Sequence, residues 1–178
     1  IKHLIDHGHT HFGENKVQEA IEKWTEVKKQ NDKINLHMVG KLQSNKVKYA
    51  LKIFEYIHSV DNIKLVKKIS SEQKKNEKKP KIFIQVNIGN EIQKSGINYN
   101  DFNDFYNLCK TNDLNVIGTM CIPPDDNKSD LYFSKLKKLN DDNNLNEISM
   151  GMSNDYLNAV EQQSTFLRIG SKIFGQRG

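Results

Sequence analysis

The sequence predicts an α/β fold, a (β/α)8 TIM-type barrel whose first strand is missing from this chain. Three observations carry that reading. Short apolar strand patterns alternate with helical ones along all 178 residues, and such alternation implies parallel pairing with right-handed crossovers. Polar residues stand beside glycines where the strand patterns end, which is where a barrel assembles its site. The chain also opens on a helical pattern, Ile1 to Gly8, which in a barrel follows a strand. A doubly wound sheet can hold about seven strands as well; the opening helix is what favours the barrel. Such barrels run to about 250 residues, so this one is compact.

The elements follow in order. Thr10 to Phe12 is a strand, and Glu14 to Gln30 is a helix with Val17, Ala20, Ile21, Trp24 and Val27 at helical spacing. Asn35 to Val39 is a strand, Ser44 to Phe54 a helix, and Tyr56 to Val60 a strand. Asp61 is expected to cap the helix that holds Ile63, Leu65, Val66 and Ile69. Lys81 to Asn87 is the clearest strand, with Ile82, Phe83, Ile84 and Val86. A loop from Ile88 to Tyr99 leads to a helix from Asn100 to Thr111, a strand from Asn115 to Met120 and a helix from Ser129 to Leu139. Glu147 to Met150, Ser153 to Gln162 and Phe166 to Ile169 complete the series as strand, helix and strand.

Hydrophobic residues make up 36% and charged residues 28% of the chain, and the apolar ones cluster in short runs that can build a core. A chain of this length buries roughly 70% of the surface it exposes when unfolded, so it needs no disulfide or metal. One domain is expected over residues 1–178, incomplete at its amino end. No stretch approaches the ~20 apolar residues of a membrane span, and no signal-peptide pattern precedes Ile1. Cys109 and Cys121 have no metal-type spacing and read as buried thiols of a reducing, cytoplasmic compartment. The 27 basic against 22 acidic residues leave a charge of +5. The dense run from Lys67 to Lys81 is interrupted by Glu72 and Glu77, as the solvated face of a helix is; a nucleic-acid patch is the weaker alternative.

Two strand ends look competent for an anion. Gly151-Met152-Ser153 leads into a helical pattern, where Ser153 either caps the helix or offers its hydroxyl, with free amides, to a phosphate. Arg168-Ile169-Gly170-Ser171 repeats the arrangement, with Gly170 permitting close backbone approach and Ser171 adding a hydroxyl. Two adjacent ends of this kind at the last two strands match the usual phosphate site of these barrels. Asn15 either caps the helix that follows it or reaches the ligand. His37 and His58 either line the site or are satisfied by neighbours. His3, His7, His9 and His11 have no carboxylate partner at ligand spacing, so no metal is expected. Neither a G-x-S-x-G elbow nor a Walker loop occurs.

Five segments together resemble the pyridoxal phosphate homeostasis protein family. They are the run Phe12 to Glu19 (FGENKVQE), the run His37 to Lys46 (HMVGKLQSNK), Val86-Asn87 with Lys94-Ser95-Gly96, the run Ser149 to Asp155 (SMGMSND) and the run Arg168 to Arg177 (RIGSKIFGQR). The resemblance implies the alanine racemase N-terminal barrel and a protein that binds pyridoxal 5'-phosphate (PLP). It implies homeostasis of PLP, its vitamers and amino acids, without established catalytic turnover. By the same resemblance, Arg168 faces the pyridine nitrogen, Ser153, Gly170 and Ser171 hold the phosphate, and Asn15 lines the ring's other side. The family's Schiff-base lysine is expected upstream of Ile1, so no catalytic residue is assigned in this chain. The implied partner is PLP itself, with no membrane and no nucleic acid, and the chain is read as a monomer. The competing readings are a PLP-dependent racemase or decarboxylase, and a nucleic-acid module resting on the charge alone.

Overall fold

In the computed structural model, which describes residues 1–175, eight strands and eight α-helices follow the expected alternation. Gln176 and Arg177, the end of the last motif, lie outside the described residues. The strands are β1 (His11–Glu14), β2 (Asn35–Met38), β3 (Tyr56–Val60), β4 (Lys81–Asn87), β5 (Ile97–Asn98), β6 (Asn115–Met120), β7 (Glu147–Met152) and β8 (Phe166–Arg168). The helices are α1 (Lys2–Asp6), α2 (Val17–Gln30), α3 (Val47–Ile53), α4 (Ile63–Asn76), α5 (Phe102–Thr111), α6 (Ser129–Asp142), α7 (Tyr156–Glu161) and α8 (Ser171–Phe174).

Every pairing is parallel, and the order β1-β2-β3-β4-β6-β7-β8 follows the chain without reversal, with β5 pairing only the carboxyl end of β4. A doubly wound sheet reverses its order at a switch point; a barrel does not. The result is a nearly closed parallel barrel. Among the described residues no ladder joins β8 to β1, and across that edge the rings of His11 and Phe166 stand 6.2 Å apart.

Side chains divide by strand period into two layers. Outward residues such as Leu36, Ile57, Ile82 and Ile148 form the main core with the helices, where Trp24, 1% exposed, is the largest buried side chain. Inward residues Tyr56, Phe83 and Met120 form a separate small cluster with Ile117 and Phe166. The α2 stripe docks on β1 by ring contact of Trp24 with Phe12 (4.7 Å between centroids) and by the indole Nε1–H, which donates to Glu14 Oε1 at 2.7 Å.

Three local expectations are corrected. Asn62, not Asp61, caps α4, its side-chain oxygen accepting the Leu65 N–H at 2.9 Å; the Asp61 carboxylate instead accepts from Asn62 Nδ2 and from the Gly96 N–H. The helix expected from Ser44 starts as a 3-10 turn, Ser44–Lys46, before α3. The helix expected from Ser153 begins only at Tyr156, because β7 ends in a turn. There Gly151 has φ 89°, and the Asp155 carboxylate accepts the Met152 N–H at 2.6 Å. A Cβ at Gly151 would lie 2.5 Å from that of Ala159, so glycine is required on both counts. The lysine-rich run is the solvated face of α4 and the segment after it, with Lys68 on Glu72 and Lys79 on Asp113.

Candidate functional site

Strand direction places Ser153, Arg168, Gly170 and Ser171 together at the carboxyl mouth. Met152 and Arg168 are register partners on β7 and β8, so Ser153 and Gly170 leave adjacent strands side by side. Ser153 is buried, and it does not cap α7, whose N-cap Asp155 makes no side-chain cap bond. Its Oγ instead accepts the Lys172 N–H at 3.4 Å, inside the first turn of α8. The two predicted anion ends are therefore in contact. Gly170 is the N-cap of α8, with no side-chain cap bond, and Ser171 is exposed. Among the described residues, a Cβ built on Gly170 meets no atom within 4 Å.

Arg168 is half-buried and held by two bonds. Its Nη1 donates to Ser149 Oγ at 2.6 Å and its Nη2 to the Cys121 carbonyl oxygen at 2.8 Å. Burial draws its pKa below the ordinary arginine value, against the effect of Cys121 and Asp155. Among the described residues no carboxylate lies in salt-bridge contact with it. A guanidinium has five donors, so among the described residues three have no protein acceptor. The Cys121 thiol beside it is pushed up to about 12 by burial and stays neutral.

Asn15 follows β1 directly and is exposed. It does not cap α2, whose N-cap is Lys16 without a side-chain bond. Its backbone packs against Gly40 so closely that a Cβ there would stand 2.3 Å from the Asn15 carbonyl oxygen. That contact locks the carboxyl ends of β1 and β2 together and leaves the Asn15 side chain facing solvent. Asn15 thus sits at the same mouth but on the strand across the open edge from β8.

His37 and His58 are buried and satisfied by neighbours, and with them comes an arrangement not foreseen in the sequence. His11 Nδ1 pairs with His37 Nε2 at 2.8 Å, His37 Nδ1 with His58 Nε2 at 2.9 Å, and His58 Nδ1 with Ser149 Oγ at 2.8 Å. The series ends on Arg168. The signal was polar residues at inward positions of otherwise buried strands, His37 on β2, His58 on β3 and Ser149 on β7. A separate cavity of about 260 Å3 opens at the opposite, amino-terminal mouth, lined by Tyr56, Lys81, Val116, Asn146, Glu147 and Phe166.

Comparison with known proteins places this geometry. The family described as alanine racemase, N-terminal domain, matches residues 1–178. The pyridoxal phosphate homeostasis protein of Aquifex aeolicus is 35% identical over 176 residues, 93% of this chain and 76% of that one. Among solved structures, PipY of Synechococcus elongatus without PLP superposes with a TM-score of 0.88 at 31% identity, covering 98% of this chain and 86% of its own. PipY with PLP bound gives a TM-score of 0.81 at 29% identity, over 98% and 85%.

Proposed function

Because this chain belongs to the alanine racemase N-terminal domain family, and within it to the pyridoxal phosphate homeostasis proteins, we propose that it binds PLP at the carboxyl mouth and serves to hold and balance the vitamer without turning over a substrate. The observation that carries the proposal is Arg168, a partly buried cation with no carboxylate partner, flanked on adjacent strands by Ser153, Gly170 and Ser171.

The donor set fits the group. A phosphate monoester dianion needs several hydrogen-bond donors and no nearby carboxylate. The hydroxyls of Ser153 and Ser171 and the amides at the start of α8 supply them, and a Cβ at Gly170 meets none of the described residues within 4 Å. When bound, PLP supplies an aldehyde and an electron-withdrawing pyridine ring. Arg168 is assigned to the pyridine nitrogen: a permanent cation there disfavours a second positive charge, so the nitrogen stays unprotonated and the ring is a weak electron sink. That favours retention over transaminase-type chemistry. Asn15 is assigned to the opposite side of the ring, and residues 1–178 to one PLP-binding domain, acting as a monomer in the cytoplasm.

The test is calorimetric titration of the protein with PLP and, separately, with pyridoxal, which lacks the phosphate. PLP is expected to bind and pyridoxal to bind far more weakly. Equal affinities, or no binding of either, would refute a phosphate-based site.

A further inference from the structure

We propose that Ser149, His58 and His37 form a one-way hydrogen-bond relay, set by Arg168, that positions the arginine at the carboxyl mouth and carries its state to His11 at the opposite end of the barrel. The inference goes beyond the proposed function and does not depend on it, since no cofactor enters the argument.

The direction follows from donor counting. A guanidinium only donates, so Ser149 Oγ is the acceptor of the 2.6 Å bond from Arg168 Nη1. Ser149 is fully buried, and its own hydroxyl hydrogen needs an acceptor. Among the described residues the one partner within reach of that hydrogen is His58 Nδ1, at 2.8 Å. His58 Nδ1 is therefore bare, and its hydrogen sits on Nε2, facing His37 Nδ1. The same reasoning puts the His37 hydrogen on Nε2, facing His11 Nδ1, and the His11 hydrogen on Nε2. Reversing the series leaves the Ser149 hydrogen buried without a partner among the described residues, which is unfavourable. Ser149, held as acceptor by the arginine and with one acceptor for its own hydrogen, thus selects one tautomer for three imidazoles.

The surroundings work against protonation of the three rings. Burial lowers the pKa of His37 to about 3 and that of His58 well below its ordinary value, and also lowers that of His11. The charges that face them act the same way: His9 and Lys81 on His11, His11 and Lys81 on His37, His37 and Arg168 on His58. Packing fixes the ring planes. His37 stacks on Tyr56 at 4.1 Å and His58 on Phe83 at 4.2 Å, with Phe166 against both histidines. The Tyr56 hydroxyl in turn accepts from Lys81 Nζ at 3.0 Å.

Two consequences follow. Ser149 and the Cys121 carbonyl take two of the guanidinium donors and so fix the orientation of the group at the mouth. If Arg168 is drawn off Ser149, the Oγ loses the donor that complements its own bond to His58, and the preference for this one direction weakens along His58, His37 and His11. His37, His58 and Ser149 are positioning residues in this scheme.

The experiment is 15N NMR of the imidazole nitrogens in the protein without added ligand, assigned with His37→Gln and His58→Gln. His37 and His58 are expected as neutral Nε2–H tautomers that do not titrate from about pH 8 to about pH 5. Ser149→Ala should abolish the fixed tautomer of His58 and Arg168→Met should weaken it, and His37 should follow in each. His11→Ala, at an exposed position, should leave the His58 tautomer intact while the His37 Nε2 hydrogen exchanges faster with water. A packing role alone would not produce that asymmetry. An Nδ1–H tautomer at His58 in the unaltered protein would overturn the proposal, and that spectrum needs no variant to fold. So would unchanged tautomers in Ser149→Ala or Arg168→Met.

Discussion

Arg168 and Cys121 are tied across the carboxyl mouth: the guanidinium Nη2 donates to the Cys121 carbonyl oxygen at 2.8 Å. Arg168 ends β8 and Cys121 follows β6, so the bond spans β7, and the second bond, to Ser149, is made to β7 itself. One side chain thereby staples three successive strands at the end where the site forms.

Replacing that side chain should cost stability as well as binding. In Arg168→Met, Ser149 Oγ and the Cys121 carbonyl both lose their donor in a partly buried place, a loss of about 1–3 kcal/mol. Arg168→Lys, with one donor group in place of a fork, should recover only part of it. Urea unfolding midpoints of the two variants check the order. Equal stability of all three proteins would show that the staple contributes nothing.

The junction between α2 and β1 rests on Trp24. Its Nε1–H donates to the Glu14 carboxylate, which also takes Lys23 at 2.7 Å. Trp24→Phe keeps a ring on Phe12 but removes the bond to a charged acceptor, and should lose about 1.5–3 kcal/mol. Trp24→Ala should lose about 3–5 kcal/mol by emptying the largest core position. The same unfolding experiment reads both, and a Phe variant as costly as the Ala variant would show that the hydrogen bond, not the packing, carries the residue.

Stability should fall in mild acid through the buried histidines. Burial first, then the charges of His11 and Lys81, lowers His37 from 6.5 to about 3 in the folded state. Below about pH 6.5 the unfolded chain binds a proton that the folded chain refuses, so stability rises with pH across this interval and is lost as pH falls through it. His37→Phe, which preserves a ring over Tyr56, should flatten that dependence between about pH 6.5 and about pH 4. Identical slopes for the variant and the unaltered protein would contradict the assignment.

A carboxylate acts in the window just below. Burial raises the Glu55 pKa, but the bonds from Lys28 and the Leu36 N–H and the charge of Lys78 outweigh it, and the net direction is down. Its contribution is complete above the unfolded value of 4.5 and is lost as pH falls through the lower folded value. Glu55→Gln should remove this part of the acid sensitivity while leaving the histidine part. The fall of the urea midpoint below about pH 4.5 measures it, and a variant with undiminished acid sensitivity would count against the network.

Much of this was legible in the sequence for stated reasons. Period-two apolar runs such as Lys81 to Asn87, and helical spacing such as Val17 to Val27, reflect burial on one or both faces, and burial is what residue types record. Boundaries were less legible. Ser153 was expected to begin a helix because Ser is a good cap, yet Gly151 and the Asp155 carboxylate build a turn that postpones the helix to Tyr156. Asp61 lost the cap to Asn62 because its carboxylate serves the Gly96 amide from a distant loop, which no local pattern shows. The proposed site residues Ser153, Arg168, Gly170 and Ser171 stand in two short motifs, and what the fold adds is that the two strand ends carrying them are neighbours. The histidine series was not, since its members come from β1, β2, β3 and β7 and meet only when the barrel curves.

The central claim, that PLP is held at the ends of β7 and β8, is tested most directly at Gly170. Its backbone has an ordinary negative φ of −117°, and among the described residues a Cβ there meets no atom within 4 Å, so Gly170→Val should fold and occupy the space proposed for the phosphate. Equilibrium titration with PLP should show binding abolished in Gly170→Val and weakened by about 1.5–3 kcal/mol in Ser171→Ala, which removes one hydroxyl donor to a charged acceptor. Undiminished PLP affinity in a folded Gly170→Val protein would contradict the account and place the anion elsewhere.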